Sequence, residues 1–124
     1  MANLPLISVV DDDVSVRESL HGLFRSLGFS VKVFASAEEF LNSDHLHNTD
    51  CLILDVCMPG MNGPELHRQL VASHYEMPVI FITAHAVDEA MRSRAFGVGA
   101  VDYLLKPFSE EALLSAVQTA LSSK

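Results

Sequence analysis

The chain has 124 residues, 49% of them apolar, and its 16 acidic against 8 basic side chains give a formal net charge of -8. This length suits one compact domain spanning residues 1–124. The acidic balance argues against direct nucleic-acid binding and against attachment to an anionic membrane, because both need clustered Lys and Arg. No apolar stretch approaches the ~20 residues of a membrane span. Asp11 also ends the first apolar run too early for a signal peptide, so we expect a cytoplasmic domain.

Five short apolar runs, the predicted strands, alternate with segments of helical periodicity. The runs are Leu6–Val10, Val31–Phe34, Cys51–Leu54, Val79–Ile82 and Tyr103–Leu105. The third and fourth are apolar throughout, which is typical of strands buried on both faces of a parallel sheet. The second carries Lys32, and this charge suits an edge strand.

Each run is followed by apolar residues at helical spacing. The five stripes include Leu20 and Phe24, then Phe40 and Leu41, Leu66 and Leu70, Met91 and Phe96, and finally Leu113 and Val117. Gly28 is a stop signal for the first helix, Ser36 to Glu39 resembles a capping box for the second, and Ser109 is the expected N-cap of the last.

Strand and helix thus alternate five times, which predicts an α/β fold with a parallel sheet between two layers of helices. We expect a flavodoxin-like, doubly wound (βα)5 domain with strand order 2-1-3-4-5. Because parallel strands all end at the same edge, residues at their carboxyl ends meet there from distant parts of the sequence. Ligands bind at that edge, near the switch point between the first and third strands.

The predicted strand ends carry the polar residues expected of a site. Asp11 and Asp12 follow the first strand, Asp55 ends the third, and Thr83 ends the fourth. Three neighbouring carboxylates repel one another unless one is protonated or a cation joins them, and Mg²⁺ is the hard divalent ion that suits an open carboxylate site. The alternative is that the acidic run only caps the first helix, a role that we expect for Asp13.

Lys106 ends the fifth strand, and we expect its ammonium group to reach toward Asp55 because an unpaired charge there is costly. A surface lysine that points outward is the alternative. Pro107 offers a cis peptide bond that would aim Lys106. Ala84 is small and leaves room beside the Thr83 hydroxyl, although that hydroxyl could also satisfy its own backbone.

Four motifs in this order resemble those of response-regulator receiver domains, the phosphoryl-accepting half of two-component signalling. The motifs are Val9–Asp13, Leu54–Gly63, Ile82–Ala84 and Gly99–Phe108. The resemblance covers essentially the whole chain. It is greatest to receivers that stand alone or precede a helix-turn-helix output domain.

The resemblance implies a role for each matching residue. Asp55 is the implied acceptor of a phosphoryl group from a phosphohistidine. Asp12, Asp55 and the backbone carbonyl of Cys57 are the implied Mg²⁺ ligands, with Asp11 acting mainly through bound water. Lys106 and Thr83 are implied to contact phosphoryl oxygens, and Tyr103 is implied to swing inward when Thr83 moves.

The implied partners are a sensor histidine kinase or a phosphotransfer protein, with a homodimer forming on phosphorylation. The fourth helix, the fifth strand and the fifth helix, roughly residues 84–96 with Tyr103, form the implied output surface. The kinase-docking surface is expected on Ser15, Arg17 and His21 with Pro107 and Phe108, unless this helix face is merely solvated. Met91 and Phe96 fit either the output surface or the core.

Two features depart from the common receiver pattern. The segment from Thr83 to Lys106 is about one residue longer than usual, which bears on where the fourth helix starts. Cys57 and His85 occupy two positions near the implied phosphoryl pocket. The residues at these positions differ among receiver domains and tune how fast water removes the phosphoryl group. The His45-Leu46-His47 spacing also occurs in metal sites, although loop histidines are usually solvated.

Three other functions are alternatives to a receiver. A phosphohydrolase of the haloacid dehalogenase type would use Asp11 and Asp13, but it needs an acidic pair on a later strand, and only Glu110 and Glu111 follow Lys106. A flavodoxin-like flavin carrier would need a phosphate-binding loop where the acidic run stands. An interaction module that works without phosphorylation would be expected to have lost part of the acidic set.

Overall fold

The computed structural model describes residues 4–84 and 100–122. Five parallel strands form one sheet in the order β2-β1-β3-β4-β5, which confirms the predicted fold and strand order. The strands are β1 (Leu6–Val10), β2 (Ser30–Phe34), β3 (Cys51–Asp55), β4 (Val79–Thr83) and β5 (Ala100–Leu105). The helices are α1 (Val14–Ser26), α2 (Ala37–Leu41), α3 (Gly63–Ala72) and a C-terminal helix (Glu110–Ser122).

The sheet separates two apolar clusters, and this explains the continuous apolar runs. In β3, Leu52 and Leu54 belong to the cluster beneath α2 and α3. Cys51 and Ile53 belong to the cluster that α1 and the C-terminal helix cover on the other face. Since successive side chains of a strand point to opposite faces, a strand between two helix layers must be apolar at every position. Lys32, by contrast, is exposed on the edge strand β2, as predicted.

Strand β5 begins three residues earlier than the predicted run. Its ladder to β4 contains an irregularity at which Val79 pairs with Ala100 and Ile80 pairs with Asp102. The Asp102 carboxylate accepts a hydrogen bond from the Tyr103 backbone N–H at 2.7 Å. A polar residue and a bulge therefore conceal the first half of this strand from an analysis of apolar runs.

Side-chain caps fix where the helices begin. The Asp13 carboxylate accepts from the Ser15 N–H, and the Ser109 hydroxyl accepts from the Ala112 N–H, as predicted. Of the capping box expected from Ser36 to Glu39, one half is present, since the Ser36 hydroxyl accepts from the Glu39 N–H. Helix α3 has a full reciprocal capping box between Asn62 and Glu65, which the sequence analysis did not identify.

Several predictions fall on residues outside the described ranges. They are the fourth helix with Met91 and Phe96, the position of the additional residue before it, His85, and residues 85–96 of the implied output surface. Across residues 4–84 and 100–122, the helices are too short and too polar to cross a membrane.

Candidate functional site

The carboxyl ends of four strands bring the candidate site residues to one edge of the sheet. Asp11 directly follows β1, and Asp55 is the last residue of β3, paired in register with Ile82 of β4. Thr83 ends β4, and its carbonyl accepts a hydrogen bond from the Lys106 N–H at 2.6 Å. The parallel register therefore places these residues side by side, as the sequence analysis predicted.

Three carboxylates form the centre of the site. Asp11, Asp12 and Asp55 each offer an oxygen, and these oxygens all lie within 4.8 Å of one another. Asp11 is fully buried, Asp12 is exposed, and the Asp55 side chain is only 6% exposed. Burial and repulsion by Asp11 raise the pKa of Asp55 to about 6, although the Lys106 charge acts in the opposite direction. The anionic form of Asp55 is thus destabilised at this position.

Lys106 is the cation of the site, and it lies nearer to Asp11 than to Asp55. Its Nζ is 2.8 Å from Asp11 Oδ2 and 3.7 Å from Asp55 Oδ1. Burial lowers the pKa of Lys106, but the hydrogen bond to Asp11 and the charges of Asp11 and Asp55 outweigh this effect, so the net pKa is raised. Lys106 therefore approaches Asp55, as expected, but its shorter contact is with Asp11.

Asp11 also anchors the start of α1. Its Oδ1 accepts from the Asp13 N–H at 2.9 Å, and its backbone carbonyl accepts from the Arg17 guanidinium at 2.8 Å. Arg17 is half-buried by this contact. It differs in this respect from Ser15, which is exposed on the outer side of α1 as expected for the predicted docking face.

The β3–α3 loop (Val56–Asn62) packs tightly at the end of β3. The Gly63 N–H donates to the Val56 carbonyl at 3.1 Å, and a Cβ built on Gly63 would lie 2.3 Å from the Asp55 carbonyl oxygen. Only glycine allows this approach, and it fixes the backbone that carries the Asp55 side chain. Cys57 is exposed on the same loop.

The other four predicted site residues lie in or just beyond the carboxyl-terminal halves of β4 and β5; they are Thr83, Ala84, Tyr103 and Pro107. Thr83 is buried, whereas Ala84 is exposed just beyond it. Tyr103 is 7% exposed and packs against Phe81 with a ring separation of 5.6 Å, so its ring points inward. The Lys106–Pro107 peptide bond is cis, as the sequence analysis suggested.

His67 is a buried polar residue that the sequence analysis did not identify. It lies on the inner side of α3 and packs edge-to-face on Phe81, with ring centroids 5.4 Å apart. Among the residues that the structure describes, its Nδ1 has no hydrogen-bond partner, and burial lowers the His67 pKa. A signal was present, since His67 follows Leu66 and precedes Leu70 at the spacing of an apolar stripe.

The other candidate ligands lie away from the carboxylates. The His47 ring contacts Tyr75 and the His45 ring contacts Phe34, with centroid separations of 5.3 and 6.4 Å. Glu110 and Glu111, the acidic pair that a dehalogenase-type enzyme would need, are exposed in the first turn of the C-terminal helix. Within the described part of the chain, Asp11, Asp12 and Asp55 are the group of potential metal ligands that converges.

The chain matches known proteins over almost its full length. The sequence model of the response regulator receiver domain matches residues 7–118. The response regulator protein TodT of Pseudomonas putida is 47% identical over 116 residues, which are 94% of this chain and 51% of TodT. The chain thus spans about half the length of the curated relatives that it matches.

Solved structures agree with this match. The response regulator StyR has a TM-score of 0.90 at 47% identity, over 97% of this chain and 60% of the StyR chain. FixJ-N has a TM-score of 0.85 at 35% identity, over 100% of this chain and 98% of its own. Together with the carboxylates and the lysine gathered at the strand ends, these matches show that the chain belongs to the response regulator receiver domain family of two-component systems.

Proposed function

We propose that this receiver domain accepts a phosphoryl group on Asp55 from the phosphohistidine of a sensor kinase or a phosphotransfer protein. The supporting observation is the environment of Asp55, a buried carboxylate beside two others with Lys106 Nζ 3.7 Å away. An Asp55 oxygen attacks phosphorus, and the bond from phosphorus to the histidine nitrogen breaks with its electron pair going to that nitrogen. The proton on the other ring nitrogen of the phosphohistidine allows the ring to leave as neutral imidazole. The nucleophile must be anionic, and a pKa of about 6 leaves it so at neutral pH.

The donor set fits Mg²⁺, because it consists of carboxylate oxygens at the open edge of the sheet. Asp12, Asp55 and the Cys57 carbonyl would hold the ion, with Asp11 acting through bound water. The ion would supply positive charge for the phosphoryl oxygens in the transition state. It would also offset the repulsion that raises the Asp55 pKa.

Lys106 and Thr83 are the chain's own groups for the transferred phosphoryl. Lys106 already lies between Asp11 and Asp55, so a small shift takes its ammonium group from a carboxylate to a phosphoryl oxygen. Thr83 is adjacent through the backbone bond between its carbonyl and the Lys106 N–H. Because the Tyr103 ring already points inward and packs on Phe81, movement of Thr83 toward the phosphoryl group would hold the ring in that position and would not start an inward swing.

The proposal extends to what happens after phosphorylation and to the partners of the domain. Water would later remove the phosphoryl group, so that the domain promotes its own dephosphorylation. Phosphorylation would favour a homodimer and change the surface that an output domain or partner binds. We propose that this domain itself contacts neither nucleic acid nor membrane. We expect this exchange with the kinase to take place in the cytoplasm.

The test is the intact mass of the protein after incubation with acetyl phosphate and Mg²⁺. We expect one added phosphoryl group in the wild type and in Asp13→Asn, which keeps the N-cap of α1. We expect none in Asp55→Asn or with a chelator. Phosphate release is measured in parallel to detect rapid hydrolysis of the adduct. Neither adduct nor Mg²⁺-dependent phosphate release in the wild type would refute the proposal.

A further inference from the structure

The middle of the β3–α3 loop is held by a side chain from a different element. The loop is fixed at its start by the Val56 N–H bond to the Ile82 carbonyl, and at its end by the Gly63 N–H bond to the Val56 carbonyl. Between these anchors, the Met61 N–H donates to the Glu38 carboxylate at 3.2 Å. Glu38 lies 23 residues earlier, in the first turn of α2.

Glu38 also packs directly on Gly60. Its Oε2 would lie 3.1 Å from a Cβ built on Gly60, a residue with a φ of +76°. A glycine therefore serves two needs here, since it adopts the left-handed conformation and leaves space for the carboxylate. The carboxylate thus contacts two successive residues of the loop.

The cap of α2 does not need this carboxylate. Ser36 is the N-cap, and its hydroxyl accepts from the Glu39 N–H at 3.1 Å. Glu39 supplies a second acidic group to the same first turn, so the helix keeps a favourable charge there without Glu38. The reach of Glu38 across to the loop is what distinguishes these two neighbours.

We propose that Glu38 is a positioning residue for the metal site, because it holds Gly60 and Met61 so that the loop presents the Cys57 carbonyl toward Asp12 and Asp55. The inference rests on the proposed Mg²⁺-dependent phosphorylation of Asp55. Glu38 acts through the loop backbone and does not touch the ion. Its removal therefore weakens Mg²⁺ binding and leaves the reactive carboxylate in place.

Two substitutions separate contact from charge. Glu38→Gln removes the charge but keeps an acceptor oxygen at the same reach, whereas Glu38→Asp keeps the charge on a side chain too short for the Met61 N–H. Glu39→Gln is the matched control, since Glu39 is also exposed in the same turn, while the bond from the Met61 N–H of the loop goes to Glu38. Thermal unfolding of each variant checks that all of them fold.

Mg²⁺ binding is measured directly by titration of ¹⁵N-labelled protein, followed through the amide signals of the loop and of Met61. We expect Glu38→Asp to raise the Mg²⁺ dissociation constant about three- to tenfold, the range for losing one hydrogen bond. Glu38→Gln and Glu39→Gln should stay within about twofold of wild type on the same scale. At saturating Mg²⁺, the phosphorylation rate of Glu38→Asp should return to near the wild-type rate.

The outcomes are distinct. If Glu38→Gln and Glu38→Asp raised the Mg²⁺ dissociation constant equally, the hydrogen bond to the Met61 N–H would not be the cause, because Glu38→Gln keeps it. If Glu38→Asp bound Mg²⁺ with wild-type affinity, that hydrogen bond would be dispensable. Either result overturns the inference while the proposed function stands. A wild-type protein that binds no Mg²⁺ would remove the proposed metal-dependent function itself, and the inference with it.

Discussion

The two ends of the parallel sheet both bury polar side chains, but they satisfy them differently. At the amino end, the Ser8 and Thr49 hydroxyls are 2.7 Å apart, and Thr49 also donates to the His45 carbonyl. The Leu6 N–H donates to the Asp50 carboxylate at 2.8 Å. Donor and acceptor are matched at each of these contacts, so this polar cluster stabilises the fold.

At the carboxyl end, the polar groups conflict. Three carboxylates converge, and the short contact of Lys106 is made with one of them, Asp11. Burial and repulsion raise the pKa of Asp55 to about 6 as a result. Burial of polar groups therefore stabilises the fold at the amino end of the sheet, whereas at the carboxyl end it maintains electrostatic repulsion between carboxylates. A bound cation or a reaction at Asp55 can relieve that repulsion.

The largest expected effect comes from breaking the close packing at the carboxyl end. Gly63→Ala places a methyl group 2.3 Å from the Asp55 carbonyl oxygen, so the loop or the strand must shift. We expect a loss of about 3 kcal/mol or more in the free energy of unfolding, measured by urea denaturation. Gly22→Ala is the control, since its Cβ meets nothing within 4 Å in α1 and should stabilise by about 0.5–1 kcal/mol. Equal effects of the two substitutions would contradict the packing argument.

A smaller effect, of opposite sign, should follow from removing the charge of Asp55. The pKa rises from an ordinary 3.8 to about 6 on folding, so the anion destabilises the folded protein by up to about 3 kcal/mol at neutral pH. Asp55→Asn should therefore unfold at higher denaturant concentration at pH 7 without Mg²⁺. Because Lys106 keeps its short contact to Asp11, the substitution leaves no isolated lysine charge.

The pH dependence of this gain follows from the same shift. Below about pH 4 the carboxyl group is protonated in both folded and unfolded chains, so the two proteins should be equally stable. Between about pH 4 and 6 only the unfolded chain loses the proton, so the advantage of Asp55→Asn should grow, and it should be complete above pH 6. A difference that stays constant across this range would contradict the assigned origin. The depressed pKa of His67 acts in both proteins and cancels in the difference.

The smallest effect is expected at the amino end. Ser8→Ala removes one hydroxyl of the Ser8–Thr49 pair, while Thr49 keeps its bond to the His45 carbonyl. We expect destabilisation of about 1 kcal/mol, because a buried hydrogen bond is lost without leaving an isolated charge. The loss should be the same at pH 5 and pH 7. A gain in stability on Ser8→Ala would contradict the statement that the polar contacts at the amino end of the sheet stabilise the fold.

The fold could be predicted from sequence because the central strands lie between two helix layers and are therefore almost entirely apolar. Where that rule was interrupted, the prediction was too short. Asp102 and the irregularity beside Ala100 concealed the first half of β5. The strand order 2-1-3-4-5, which was expected for a flavodoxin-like fold, is confirmed.

The site could be predicted in part. Asp11, Asp55 and Lys106 stand at strand ends, and parallel strands bring such residues together whatever their separation in sequence. The contacts of Arg17 with the Asp11 carbonyl and of Glu38 with Met61 could not be predicted. These contacts form because long side chains extend from one element to another, and the spacing of residues in the sequence does not show which group such a side chain contacts.

The exposed thiol beside the phosphoacceptor has a practical consequence. Cys57 is exposed two residues after Asp55, whereas Cys51, the other cysteine of the chain, is fully buried in β3. A maleimide dye added to the native protein should therefore attach at Cys57 alone. The chain has no tryptophan, so its intrinsic fluorescence is weak and depends on two tyrosines. One label at Cys57 would give the domain an optical reporter of events at Asp55, without any engineered residue.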